Sequence, residues 1–305
     1  MKSTLVICLL LTFFYAEAQK RPLLHLARGQ TYYLESTAAS TSQQSFGSRE
    51  NKVNTTISFR IAFTVTGIAD TIYGIVARYQ SLAMKIRLAD TTLNMSSAIG
   101  IKPDTPSVIM SEIVNKPFVI TMTQSGKVQS VKNLDELIAG AVDGFSAIDS
   151  VKKSKVTTQF VQAFGAASVK CVLEMGIAVL PEKPIAKQDK WALNSVISSP
   201  ASAQVHVSYQ LSDLTPDMYF IRGEGTITSE KDMKPVDMNG MPARYDLNGS
   251  VQSEIKIDQK TGWINEVKLK QLIEENIEIL DNPKVPGGMT VPMMFTIGMT
   301  VTGKQ

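Results

Sequence analysis

Strict alternation of apolar and polar side chains limits this chain more than any other feature. Ile57, Phe59, Ile61, Phe63 and Val65 interleave with Ser58, Arg60, Ala62 and Thr64. Successive side chains of a strand point to opposite faces, so such a segment has one dry face and one wet face. The pattern recurs in Val205, Val207, Tyr209 and Leu211 against His206, Ser208, Gln210 and Ser212, and again in Val291, Met293, Phe295, Ile297, Met299 and Val301. Repeated alternation predicts an antiparallel sheet covered on one side. Gln124-Ser125-Gly126-Lys127 and Gln259-Lys260-Thr261-Gly262-Trp263 each supply the glycine that a tight hairpin needs at positive φ. Strands are expected at 22–38, 50–66, 71–90, 117–123, 127–132, 203–213, 217–229, 245–258, 263–279 and 290–302. Residues 269–280 fit either a helix or a strand, and strand is preferred because a hairpin turn leads directly into them.

The period changes midway. Leu134, Leu137, Ile138, Ala141, Val142 and Phe145 recur at helical spacing behind Asn133 and Glu136, an N-x-x-E start that reads as a variant of the capping box. A second helix is expected to carry Val156, Phe160, Phe164, Ala167, Cys171 and Met175 on one stripe and to end at Gly176. Gly, Pro, Ser and charge place loops at 40–49, 96–111, 180–190, 229–244 and 281–292. The expected fold is α+β: a large curved antiparallel sheet of about ten strands with two amphipathic helices inserted midway, half-barrel-like.

Residues 1–18 combine Lys2, an apolar run from Leu5 to Tyr15, and Ala16-Glu17-Ala18. This is the pattern of a cleavable signal peptide, so the expected organisation is a signal peptide at 1–18 and a single exported domain at 19–305, periplasmic or extracellular. No later stretch reaches the roughly 20 apolar residues of a membrane-spanning helix. Cys8 would leave with the signal, and Cys171 on its apolar stripe reads as a small core residue. Such a chain has no internal disulfide, and a domain this long can do without one.

The chemistry-bearing residues are sparse. His25 and His206 are the only histidines, there is no G-x-S-x-G elbow, and no H-E-x-x-H, paired C-x-x-C, calcium loop or phosphate-binding glycine loop occurs. No catalytic, cofactor-binding or metal residues are therefore assigned, and the chain is expected not to be an enzyme. Glu274, Glu275, Glu278 and Asp281 form a carboxylate cluster, read as a charged outer strand face. With 31 basic and 28 acidic residues, the charge balance carries no nucleic-acid footprint. Fourteen methionines, with Met233, Met238 and Met241 in one loop, suit an adaptable apolar surface as well as ordinary core filling.

Arg28-Gly29-Gln30-Thr31-Tyr32, the Pro117 to Val128 segment with its Ser125-Gly126-Lys127 turn, Leu180-Pro181-Glu182-Lys183-Pro184 leading to Asp189-Lys190-Trp191, and Asp258 to Ile264 follow one another in an order that resembles the Bacteroidota family called domain of unknown function 6263. The resemblance implies an exported or envelope protein and transfers no catalytic residue. Gln188-Asp189 departs from it where a Gly-Asp pair is expected. The architecture also resembles the half-barrel carriers of the bacterial envelope, the LolA and LppX type, in which a curved sheet wraps helices around a cavity for acyl chains; this is fold analogy. Together these point to a non-catalytic envelope or secreted protein binding a lipid or other apolar ligand between sheet and helices, lined by Phe59, Phe63, Phe160, Phe164, Met293 and Phe295. The alternative is a structural module with a solid core, no ligand and an envelope protein partner met by loops near Met238 or Pro286.

Overall fold

In the computed structural model, which describes residues 22–46, 49–101, 103–145, 149–181, 183–198, 202–229, 234–237 and 240–305, the alternating segments pair into one antiparallel sheet. The expected signal peptide at 1–18 and the methionines at 233 and 238 lie outside the described residues. In chain order the elements are β1 (Thr31–Phe46), β2 (Arg49–Ala69), β3 (Ile72–Arg87), β4 (Thr92–Ser96), α1 (Thr105–Ile113), β5 (Phe118–Thr123), β6 (Val128–Lys132), α2 (Leu134–Asp143), α3 (Ser150–Phe164), α4 (Ala166–Gly176), β7 (Lys190–Ser198), β8 (Ser202–Leu214), β9 (Met218–Ser229), β10 (Val236–Asp237), β11 (Pro242–Asp258), β12 (Ile264–Ile279) and β13 (Met289–Lys304).

The strand order is β6-β5-β3-β2-β1-β13-β12-β11-β9-β8-β7, with β4 added to β3 and β10 to β11. Two meanders are thus joined where the first long strand meets the last. The sheet is curved and unclosed, an α+β half-barrel. Its two outer strands, β6 and β7, flank the helical segment in the chain, so α2 to α4 cross from one free edge to the other. Residues 269–280 are strand, within β12.

Tyr79 sits at the centre of the packed interior. Its ring lies 5.7 Å from Phe59, 5.6 Å from Phe118 and 6.5 Å from Phe164. Its hydroxyl donates to the Phe164 carbonyl at 2.6 Å, tying β3 to the end of α3. A bulge at Gln80 lets both Tyr79 and Leu82 face inward, although they are an odd number of residues apart.

The end of the sheet under the helices is sealed by residues 22–30. These are extended but do not form the strand expected from 22; β1 begins at Thr31 and runs on through residues 40–46, expected to be loop. Leu24 and Leu26 are buried, Leu24 N–H donates to the Gln124 carbonyl and His25 N–H to the Thr261 carbonyl, both at 2.8 Å. The two expected hairpins therefore hold this plug. Gly262 has φ +69°, and a Cβ there would stand 2.3 Å from the Leu23 oxygen.

The helical layer departs from expectation in number and phase. There are four helices among the described residues. α1 lies where a loop was expected, started by the Asp104 side chain, which accepts from Ser107 N–H at 2.8 Å. Asn133 does not cap α2 through its side chain; it takes φ +68° instead. The single stripe expected from Val156 to Met175 is broken at Gly165, where a Cβ would lie 2.4 Å from the Val161 oxygen and 2.5 Å from Asp135 Oδ1. Asp135 of α2 accepts from Ala166 N–H at 2.8 Å, so a neighbouring helix caps α4 and forces the break. The break resets the helical phase. Val169, Val172 and Leu173 go inward, and Cys171, expected in the core, is exposed. β4, β7 and β10 are strands that the alternation did not reveal.

Candidate functional site

The inward face of the sheet follows one register from strand to strand. Leu269, Ile273 and Ile277 of β12 stand opposite Met299, Phe295 and Val291 of β13, which in turn face Ala38 and Ser42 of β1, and these face Ile57 and Val53 of β2. At the plugged end this face is buried beneath the helices, which meet the sheet mainly at β3, β4, β6 and β12. Toward the other end the same face stays apolar but is only half-buried at Val53, Ile57, Ile273, Phe295 and Ile297. Between the large residues of β2 and β13, β1 contributes only Ala38, Ser40 and Ser42 inward. Small side chains there leave a furrow along the floor.

The six residues expected to line a sheet–helix cavity divide between two places. Phe59, Phe160 and Phe164 are buried around Tyr79, and Phe63 is buried against Trp263 with ring centroids 5.5 Å apart. Those four make ring contacts within the buried core, three of them around Tyr79 and one with Trp263. Met293 and Phe295 lie instead on the half-buried furrow beyond the helices.

Among the polar groups on this face, Ser253 and Glu275 are both buried on its β11 and β12 strands. Ser253 Oγ is buried and lacks a hydrogen-bond partner among the described residues. It sits opposite Leu269 on β12 and Gly223 on β9. Glu275 is only 6% exposed, although its neighbours Glu274, Asn276 and Glu278 are exposed. The carboxylate cluster is therefore not one outer face, because alternation turns Glu275 inward between Ile273 and Ile277. Burial holds its carboxyl above the usual carboxylate range, and burial together with the Glu275 charge raises the Tyr245 hydroxyl as well. The signal was present in the sequence, since Leu269, Gln271, Ile273, Glu275, Ile277 and Ile279 share one parity.

Pairing between β1 and β13 ends at Gln44 and Met293, next to Pro292, which has no N–H to donate. A groove of about 330 Å³ opens there, lined by Gln43, Glu50, Glu274, Pro292 and Met294 and by Glu275 and Met293. A second groove of about 440 Å³ lies between α1 and α2 beside Val108, Glu112, Gly140 and Gly144. His25 and His206 are both exposed, and His206 Nδ1 meets Asn194 Oδ1. Pro286 is exposed in a loop braced by Asp281, whose Oδ1 accepts from Gly287 N–H at 2.7 Å. The Gln188-Asp189 turn closes even without glycine: Gln188 takes φ +76° and Asp189 Oδ2 accepts from Ala186 N–H at 2.8 Å. Among the described residues no group of three or more His, Cys, Asp or Glu could hold a metal ion, and no helix is long and apolar enough to cross a membrane.

Comparison with solved structures returns outer-membrane channels. The COG4313 channel of Pseudomonas putida F1 has 6% identity and a TM-score of 0.25, with 92% of this chain and 97% of that one covered. OccK5 of Pseudomonas aeruginosa has 7% identity and a TM-score of 0.23, over 92% and 100%. OmpF of Salmonella typhi, solved with daunomycin, has 6% identity and a TM-score of 0.20, over 92% and 100%. Likeness this slight transfers neither fold nor function. No curated protein matches the chain. A family model covers residues 70–264, from the β2–β3 turn to the start of β12, and on that match the chain belongs to the family of unknown function DUF6263.

Proposed function

We propose that this protein is a non-enzymatic carrier or binder of an apolar ligand, working outside the cytoplasm, and that the ligand lies in the half-buried furrow rather than between sheet and helices. The observation that carries the reading is the continuity of the inward register. Val53, Ile57, Ile273, Phe295 and Ile297 belong to the same apolar face as the core but are only half-buried. A contiguous apolar surface of this kind is unusual unless something covers it. The export pattern at residues 1–18 supports the location, and the half-barrel architecture of envelope carriers agrees with the role by analogy.

The test is saturable binding of a naphthylamine fluorophore to the chain from residue 19 onward, with lipid extraction of natively purified protein alongside. Phe295→Ala combined with Ile273→Ser should weaken binding about tenfold or more, given the 1.5–3 kcal/mol of each buried apolar side chain. Leu272→Ser combined with Thr296→Ala, exposed on the opposite face, should leave it unchanged. Absence of saturable binding, or equal loss from both pairs, would overturn the proposal.

A further inference from the structure

Across the inward register of β11, β12 and β13, Glu275 is the single charged residue among the described residues. The one basic position in the inward register of β1 and β2, Arg49, lies at the start of β2, opposite Phe46, while Lys52, Arg60, Arg244, Lys268 and Lys270 occupy the outward register. Several already have partners there: Arg244 pairs with Glu278 at 3.6 Å and Lys268 with Glu266 at 3.3 Å. No ion pair or hydrogen bond is formed by the Glu275 carboxylate among the described residues. A buried carboxylate without a counter-charge costs stability, so a fold that retains one leaves room for a partner from outside.

The surroundings define that partner. Met293 stands directly opposite Glu275 on β13 and Leu247 on β11. Diagonal to it are Phe295 on β13 and Tyr245 on β11, both on the same face and within reach of a group held between them. A carboxylate flanked by two aromatic rings suits an ammonium group, which gains both charge pairing and attraction to the ring faces. Glu50 and Glu274, which line the adjoining groove with Glu275, are also negative and disfavour an anionic group there. From Glu275 the same face continues along β12, past Ile273 and the half-buried Gln271, to Leu269, opposite the orphan Ser253 hydroxyl, six residues or about 20 Å away.

We infer that Glu275, between Tyr245 and Phe295, receives the cationic head of an amine-headed amphiphile whose tail lies along the furrow toward Ser253. The inference rests on the furrow being a ligand site, and its test separates the two ideas. Octylamine, octanol and octanoate share a tail and differ in the head. Calorimetric titration of each, below its micelle concentration, is compared for the wild-type chain and for Glu275→Gln and Glu275→Asp. The amine should bind the wild type about tenfold or more tightly than the alcohol, as expected when one close charge pair is gained, and octanoate should bind more weakly than either. Glu275→Gln should abolish the amine preference while leaving octanol affinity unchanged, and Glu275→Asp should restore part of it. Equal binding of amine and alcohol by the wild type, or a preference that survives in Glu275→Gln, would overturn the assignment of Glu275 while leaving the furrow in place. Failure of all three to bind would overturn both.

Discussion

Glycines 29 and 262 provide a controlled test of how the plugged end is held. Both have positive φ, +82° and +69°, so replacement by alanine costs each about 1–2 kcal/mol for placing Cβ in the left-handed region. They differ in their surroundings. Nothing lies within 4 Å of a Cβ on Gly29, whereas a Cβ on Gly262 would stand 2.3 Å from the Leu23 oxygen and 3.0 Å from the Leu24 Cα. These are backbone atoms and cannot swing aside, so Gly262→Ala has to shift the whole plug. Two backbone hydrogen bonds, from Leu24 and His25, are then at risk, together with the burial of Leu24 and Leu26. Net hydrogen-bond values near 1 kcal/mol and about 2 kcal/mol per leucine put the additional cost between about 1 and about 6 kcal/mol. Urea unfolding measures both variants, and native-state hydrogen exchange at amides 24–26 reports whether the plug has loosened. Gly262→Ala should be the less stable, with faster exchange confined to the plug. Equal destabilisation by the two substitutions would refute the argument from close approach.

Tyr79→Phe removes the hydroxyl that reaches the Phe164 carbonyl at the end of α3; leaving this buried acceptor unmet should cost about 1–3 kcal/mol, read as a lower urea midpoint at unchanged slope. Phe164→Ala should cost about 3–5 kcal/mol and Phe295→Ala roughly 1, because the first empties a packed site and the second trims a half-buried one. Glu275→Gln tests the buried carboxyl through pH. Its folded-state pKa is raised by burial, so the wild type is most stable below the unfolded carboxylate value, near 4, and loses stability as pH rises through the higher folded value. The glutamine variant should therefore be more stable than wild type at pH 7, with the difference vanishing below about pH 4; a constant difference at all pH values would count against it.

Strands were legible wherever one face is buried and the other wet. In β2 the alternation from Ile57 to Val65 is complete because the core covers every inward residue, and its register carries through β1 to β13. β7 hid because Ala192 to Val196 are exposed on both faces, at the free edge of the sheet, where burial imposes no alternation. The start of β1 hid for a different reason: residues 22–30 are apolar because they plug the barrel end, and a plug needs burial without pairing. The helix break at Gly165 depends on Asp135, thirty residues earlier, so no local pattern could announce it. Glu275 was the reverse case. Its parity was readable, but a cluster of four acidic residues suggested an outer surface, and composition was allowed to outweigh register.

A strand of 16 residues extends about 50 Å, far more than a helical layer can cover, so long strands that form the core at one end carry their apolar register beyond it at the other. The furrow therefore needs no separate device; it is the core face continued past its cover. What the continuation does not require is a polar group, because half-buried positions tolerate apolar side chains as well as the core does. Ser253, with an unmet buried hydroxyl, and Glu275, with a buried charge, are thus two places on this face where packing alone gives no account of the residue. One lies near the margin of the helices and the other near the open end, in the same register and about 20 Å apart. A face that is apolar but for Gln271 between an orphan hydroxyl and a buried carboxylate matches a molecule that is largely apolar along its length and polar at its ends, and the Glu275 end is the one with charge enough to select its partner.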